Sequence, residues 1–200
     1  MSNNGYGKVK YTTITCTDEE FKWCYSYNEL QTILNDICQN HTIKKLYVGL
    51  QAFLESFNYK KSYYDFSYFG GSVIMLFDFI GIEFLVHGTG MIKYRKLNLS
   101  DIVTKETKDF PPADMGESSD NYYYDLSSAF DLNYENEKVK RVKVDRTAYY
   151  SFSLSDFDEQ KAEEAMKENN LPNNIHFMLE NGLDLCIYAN DIEGFDIGIK

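Results

Sequence analysis

The chain has 200 residues, 44% of them hydrophobic and 26% charged, with three prolines, a globular composition long enough to bury its own core without disulfides or metal. Its 31 acids against 20 bases give a formal charge of -11, which argues against a protein that holds nucleic acid or an anionic membrane surface and favours a basic protein partner. Cys16, Cys24, Cys38 and Cys186 form no CxxC pair and read as buried thiols of a reducing compartment; with no legible signal peptide or membrane-length apolar run, a cytosolic chain is expected.

KVKYTTITC (8–16) predicts a first strand through its β-branched and aromatic content. Thr17 with Glu20 predicts a short capped turn of helix. The clearest helix follows, because Ser26 and Glu29 have capping-box spacing and Leu30, Ile33, Leu34, Ile37 and Cys38 recur on one face. Residues 43–54 fit a helix through Ile43, Leu46, Tyr47, Leu50, Phe53 and Leu54, but their Tyr, Val, Gly and Phe content favours a strand. GSVIMLFDF (71–79) and IGIEFLVHG (80–88) are continuous apolar runs typical of strands covered on both faces. GMIKYRKL (90–97) then completes a β meander with glycine turns.

Residues 104–137 change character, with Pro111-Pro112, Gly116 and Ser118-Ser119. They read as a long loop within one chain of residues 1–200, or as a connection between two lobes of about 1–103 and 138–200. VKVDRTAYYSFSL (142–154) predicts a strand with Val142, Val144, Ala148, Phe152 and Leu154 on one face. Asp156 with Glu159 predicts a surface helix to about Asn169, ended by Leu171-Pro172. IHFMLENGLDLCIYA (175–189) is a hairpin about Asn181-Gly182, and GFDIGIK adds a last strand. The expected fold is α+β, mainly antiparallel sheet with two or three packing helices. Residues 81–87 and 182–188 echo each other, which allows two similar β units, although buried strands leaving a glycine turn often look alike.

Catalytic, cofactor and metal motifs fail inspection. Gly88-Thr89-Gly90 has Lys93 where the third glycine of a phosphate-binding turn belongs. His41, His87 and His176 lack local metal spacing, and His87 and His176 read as packed or edge residues of strands. Asp131, Asn133 and Glu135 open like a calcium loop, yet Asn136 replaces the required glycine and Val142 the bidentate acid. No cofactor is expected. Glu83 and Asp184 hold corresponding places in the echoed strands, where they face each other or face water.

The unusual stretch is DNYYYDLSSAFDLNYENE (120–137). Residues 109–137 contain eight acids, Asp109, Asp114, Glu117, Asp120, Asp125, Asp131, Glu135 and Glu137, and no base, a field that should draw lysine- and arginine-rich surfaces. Tyr122, Tyr123, Tyr124, Phe130 and Tyr134 add rigid contact area, and side-chain alternation keeps three adjacent tyrosines from all pointing inward. The expected partner-binding residues are Asp120, Tyr122, Tyr123, Tyr124, Asp125, Asp131, Tyr134, Glu135 and Glu137, on an exposed segment. The contrary reading is that these rings pin the loop to the core.

With GIEFLVHGTGMIKYR, this acidic and aromatic α+β chain resembles the bacterial immunity proteins of contact-dependent inhibition and related polymorphic toxin systems. The resemblance implies a stoichiometric inhibitor that occludes a basic toxin, a nuclease among them, with no chemistry of its own. Two other classes fit the composition: a small enzyme whose carboxylates converge with His87 or His176, and a structural module whose strand edges pair with copies of itself.

Overall fold

The computed structural model describes residues 10–15, 20–49, 66–67, 72–87, 91–107, 122–125, 137–147, 158–190 and 194–199. Expectations that rest on Thr17, on residues 51–54, on Gly88-Thr89-Gly90, on residues 148–154 and on Asp156 lie outside them. In chain order the elements are β1 (Lys10–Thr15), β2 (Lys22–Trp23), α1 (Tyr27–Cys38), β3 (Ile43–Gly49), β4 (Phe66–Ser67), β5 (Ser72–Phe77), β6 (Gly81–His87), β7 (Met91–Leu97), β8 (Val103–Thr107), β9 (Tyr122–Asp125), β10 (Val139–Thr147), α2 (Glu159–Lys167), β11 (Leu171–Leu179), β12 (Asp184–Asn190) and β13 (Gly194–Ile199). The strands form two antiparallel sheets, giving the α+β class expected from the sequence. The larger has the order β2-β7-β6-β5-β3-β9-β1-β8 and the smaller β10-β11-β12-β13-β4.

The apolar run of β5 shows why the larger sheet is buried on both faces. Val73, Met75 and Phe77 enter the main core, while Ile74 and the partly buried Leu76 join a second cluster with Ile14, Tyr47, Leu97 and Tyr123. The main core lies between the sheets, where Val48, Met75 and Phe84 meet Val142, Phe177 and Ile187 together with Leu30 and Leu34 of α1. Phe84 and Phe177 make an edge-to-face pair across it, with ring centroids 6.4 Å apart. Such pairs add about 0.5–1.5 kcal/mol beyond their area.

α1 starts where its capping residues predict, since Ser26 Oγ accepts the Glu29 N–H at 3.3 Å. Its polar flank closes an edge of the smaller sheet. Val142 N–H donates to Asn35 Oδ1 at 2.8 Å, Asn35 Nδ2 donates to Val142 O at 2.8 Å, and Val144 N–H donates to Gln31 Oε1 at 2.9 Å. Side-chain amides thus stand where another strand's backbone would be, which blunts the edge. The following link continues the seam, with Asn40 N–H donating to Val139 O at 2.7 Å and Val139 N–H to His41 O at 2.9 Å.

Three expectations need correction. Residues 104–137 are not one loop, because β8 and β9 lie within that span and flank β1 in the larger sheet. The cap of α2 is Asp158, whose Oδ1 accepts the Lys161 N–H at 3.1 Å. Leu171-Pro172 opens β11 instead of ending α2. The helix has already stopped in a Schellman turn, with Asn169 at φ 53 and Asn170 N–H donating to Ala165 O at 2.7 Å.

Replacing Asn35 by Ala leaves both backbone groups of Val142 without their partner. A loss of about 1–3 kcal/mol is expected in urea unfolding, larger than for Thr32→Ala on the exposed side of the same helix.

Candidate functional site

The tyrosine run is built into the larger sheet. In β9, Asp125 lies opposite Tyr47, Tyr124 opposite Val48 and Tyr123 opposite Gly49. At Gly49 the close neighbour is backbone, since a Cβ there would stand 3.2 Å from Ser72 N, while the Tyr123 ring would be in ordinary contact at 3.6 Å. Tyr123 and Asp125 are each only 6% exposed, and Asp125 Oδ2 takes the Lys45 ammonium at 3.2 Å. The expected exposed loop is therefore wrong for these two residues. Tyrosine's fit to a half-buried pleated surface, with a base arriving from the neighbouring strand, outweighs the solvation that an acidic run favours. Glu137 is half-buried at the entrance to β10, where its carbonyl accepts the Ile43 N–H at 3.2 Å. Asp120, Asp131, Tyr134 and Glu135 lie outside the described residues, as do the side chains of Tyr122 and Tyr124.

Tyr123 leads to a buried carboxylate. Its hydroxyl accepts from Ser72 Oγ at 3.2 Å and donates to Glu83 Oε1 at 3.4 Å. Glu83 is 3% exposed and lies directly opposite Arg95 across β6 and β7, whose Nε donates to Oε2 at 2.6 Å. The Arg95 guanidinium in turn lies 4.5 Å above the Phe21 ring, and the Lys93 ammonium 4.8 Å above the Trp23 ring. A buried charge is thus met by a partner that aromatic faces hold in place.

The second charge cluster is on the side of the smaller sheet turned away from the core, and one glycine places it there. The β11–β12 turn is closed by Gly182 N–H donating to Leu179 O at 3.1 Å, with Gly182 at φ 91. This is a three-residue loop ending in a left-handed bulge residue, not the two-residue turn that Asn-Gly favours most. The difference of one residue sets His176 opposite Cys186 and Met178 opposite Asp184. A slip by one would send Asp184 and Cys186 to the other face.

His176 Nδ1 is 2.9 Å from Asp184 Oδ2, and its Nε2 is 3.1 Å from Asp145 Oδ2 of β10. Lys143 Nζ is 2.8 Å from Asp145 Oδ1. Burial works to raise the Asp145 carboxyl, but hydrogen bonds and charge from Lys143 and His176 prevail and hold it below the usual aspartate range. Cys186 Sγ lies 3.6 Å from Nε2, so a thiol, an imidazole and a carboxylate stand in the order a cysteine nucleophile uses. The cluster is nonetheless closed to that chemistry. Both ring nitrogens are committed to carboxylates, the ring has a donor for each only when doubly protonated, and Cys186 is fully buried. Burial likewise pushes the Cys24 and Cys38 thiols far up, which leaves them unreactive.

Glu83 and Asp184, the matching acids of the echoed strands, lie on different sheets: Glu83 is buried against Arg95, and the partly exposed Asp184 bonds to His176. Among the described residues no group of three or more His, Cys, Asp or Glu side chains is placed to hold a metal ion, and no helix is long and apolar enough to cross a membrane. The sequence offered carboxylates converging on His176 but did not single out Asp145, which comes from a third strand, or Cys186. The chain has no significant match among protein-family models, curated proteins or solved structures.

Arg95→Met strands the Glu83 carboxylate and is expected to cost about 3–5 kcal/mol, while the Glu83→Leu/Arg95→Met double variant recovers most of it; chemical denaturation of all three forms measures this. For Asp145 the carboxyl is depressed in the fold, so its contribution is present above the unfolded aspartate value, about 4, and is lost as pH falls through its lower folded value. Stability below about pH 4 should therefore fall more steeply in the wild type than in Asp145→Asn, as thermal melts across pH would show.

Proposed function

We propose that the chain is a non-catalytic binding protein that captures and neutralises a basic protein partner in the cytoplasm, as an immunity protein does its cognate toxin, nuclease toxins among them. The observation that carries this reading is where the acids are neutralised. Glu83 is met by Arg95, Asp125 by Lys45 and Asp145 by Lys143, while Asp184 bonds to the His176 ring. Charges inside the fold therefore compensate one another, and the surplus of the -11 chain belongs to the remaining acids. Glu29, Asp36, Glu163, Glu164 and Glu168 are exposed on the two helices. A surface of that sign raises encounter rates with basic proteins and disfavours other partners.

The contact set is revised accordingly. Asp120, Asp131, Glu135 and Glu137 supply attraction, and Tyr122, Tyr124 and Tyr134 supply contact area. Tyr123 and Asp125 support the strand from inside and are not themselves contacts. Each nitrogen of His176 has a carboxylate within hydrogen-bonding distance and the neighbouring Cys186 is fully buried, an arrangement that favours a binding role over nucleophilic catalysis.

The test is co-purification from the native cell, followed by kinetic and equilibrium binding measurements with the basic protein so captured, at low and high ionic strength. Affinity is expected to fall with salt, and Asp120→Lys/Asp131→Lys/Glu135→Lys to slow association by about tenfold or more without changing the melting point. Tyr123→Ala should lower the melting point by several degrees, because its ring is buried. Salt-independent affinity would overturn the reading.

A further inference from the structure

The turn between β11 and β12 carries a chemical liability as well as a register. Asn181 and Gly182 are both exposed, and a Cβ added at Gly182 would meet nothing within 4 Å. In an Asn-Gly pair no side chain on the second residue hinders its backbone nitrogen from attacking the asparagine amide. Asn181 Oδ1 accepts the Leu183 N–H at 2.9 Å, which draws electron density from Cγ and makes it a better electrophile. Gly182 N–H, however, donates to Leu179 O at 3.1 Å, and Leu179 N–H donates to Leu183 O at 2.8 Å. The attacking nitrogen is therefore held in the turn while its target stands ready in the solvent.

We propose that Asn181 is a self-modification site, gated by opening of the β11–β12 turn. In the open turn the Gly182 nitrogen loses its proton to solvent base and bonds to Asn181 Cγ. The Cγ–Nδ2 bond breaks, and Nδ2 takes up a proton and leaves as ammonia. Water then opens the resulting succinimide at one of its two carbonyls. Attack at Cγ gives aspartate; attack at the main-chain carbonyl gives isoaspartate, in which the main chain runs through Cβ and Cγ. The products act differently on the sheet. Aspartate keeps an acceptor for Leu183 N–H and leaves the loop its length. Isoaspartate lengthens the loop that sets His176 opposite Cys186 and Met178 opposite Asp184, and so displaces the contact of His176 Nδ1 with Asp184 Oδ2, 2.9 Å in the intact chain. The site is independent of the partner reading above.

The test ages the full chain in mildly alkaline buffer, with and without urea, and follows the Asn181 peptide by mass spectrometry and isoaspartyl methyltransferase labelling. The chain's other Asn-Gly pair, Asn4-Gly5, gives a separate peptide. Conversion at Asn181 is expected in the native chain, about tenfold or more slower than in urea, because the rate follows the population of the open turn. Aged wild type should melt lower and show shifted His176 ring resonances in proportion to its isoaspartate. Asn181→Asp should keep the wild-type His176 resonances, and aged Asn181→Ala its starting melting point. The proposal is overturned if Asn181 stays intact in the native chain while the urea-treated chain converts, or if the two convert at equal rates. An isoaspartyl form with the melting point and His176 resonances of fresh protein overturns it as well.

Discussion

A carboxylate taken out of water into a β-sheet must find a cation within hydrogen-bonding distance, and the place of that cation settles which strands can lie side by side. Three such meetings organise this molecule. Glu83 and Arg95 fix β6 against β7, Lys45 and Asp125 fix β9 beside β3, and His176 ties β10 to β12 through β11. The apolar strands cannot choose for themselves so sharply. β5 is apolar on both faces, so a slip by one residue would exchange one set of aliphatic side chains for another. The same slip between β6 and β7 would leave a charged group alone in the interior. Hydrophobic burial holds the sheets together, and the ion pairs select the arrangement.

These meetings also govern the surface. Among the described residues the withdrawn carboxylates are met locally, while Glu29, Asp36, Glu163 and Glu164 are exposed on the helices and Lys140 and Arg141 on β10. A molecule so divided has a direction as well as a charge, and an approaching protein is oriented by both. The closed His176 cluster belongs to the same scheme. Its imidazole bonds to carboxylates of β10 and β12 and so ties these strands through β11, although Asp184 Oδ1 is buried without a hydrogen-bond partner.

What was legible in the sequence was local. Ser26 and Glu29 announced α1, its apolar spacing announced the buried face, and the runs at 71–79 and 80–88 announced the strands found at Ser72–Phe77 and Gly81–His87. Asn181-Gly182 announced a hairpin but not whether its loop held two residues or three, and that single residue decides which face Asp184 occupies. Tyr122–Asp125 was misread because an acidic run looks solvated when read alone. Its counter-charge, Lys45, lies 80 positions away on a strand that pairs with it only in the folded sheet. The cap of α2 was misplaced by two residues for a simpler reason, since Asp156 and Asp158 are chemically equivalent candidates.

One detail of strand order reaches further than its size. The two-residue strand β4, from the first third of the chain, borders the smaller sheet beside β13, while α1 seals the opposite border along β10. A fragment beginning at residue 138 would therefore be a four-stranded ribbon raw along both sides, with a row of unsatisfied amides and carbonyls on each. In the folded chain α1 and β4, both N-terminal to this ribbon, cover part of each edge.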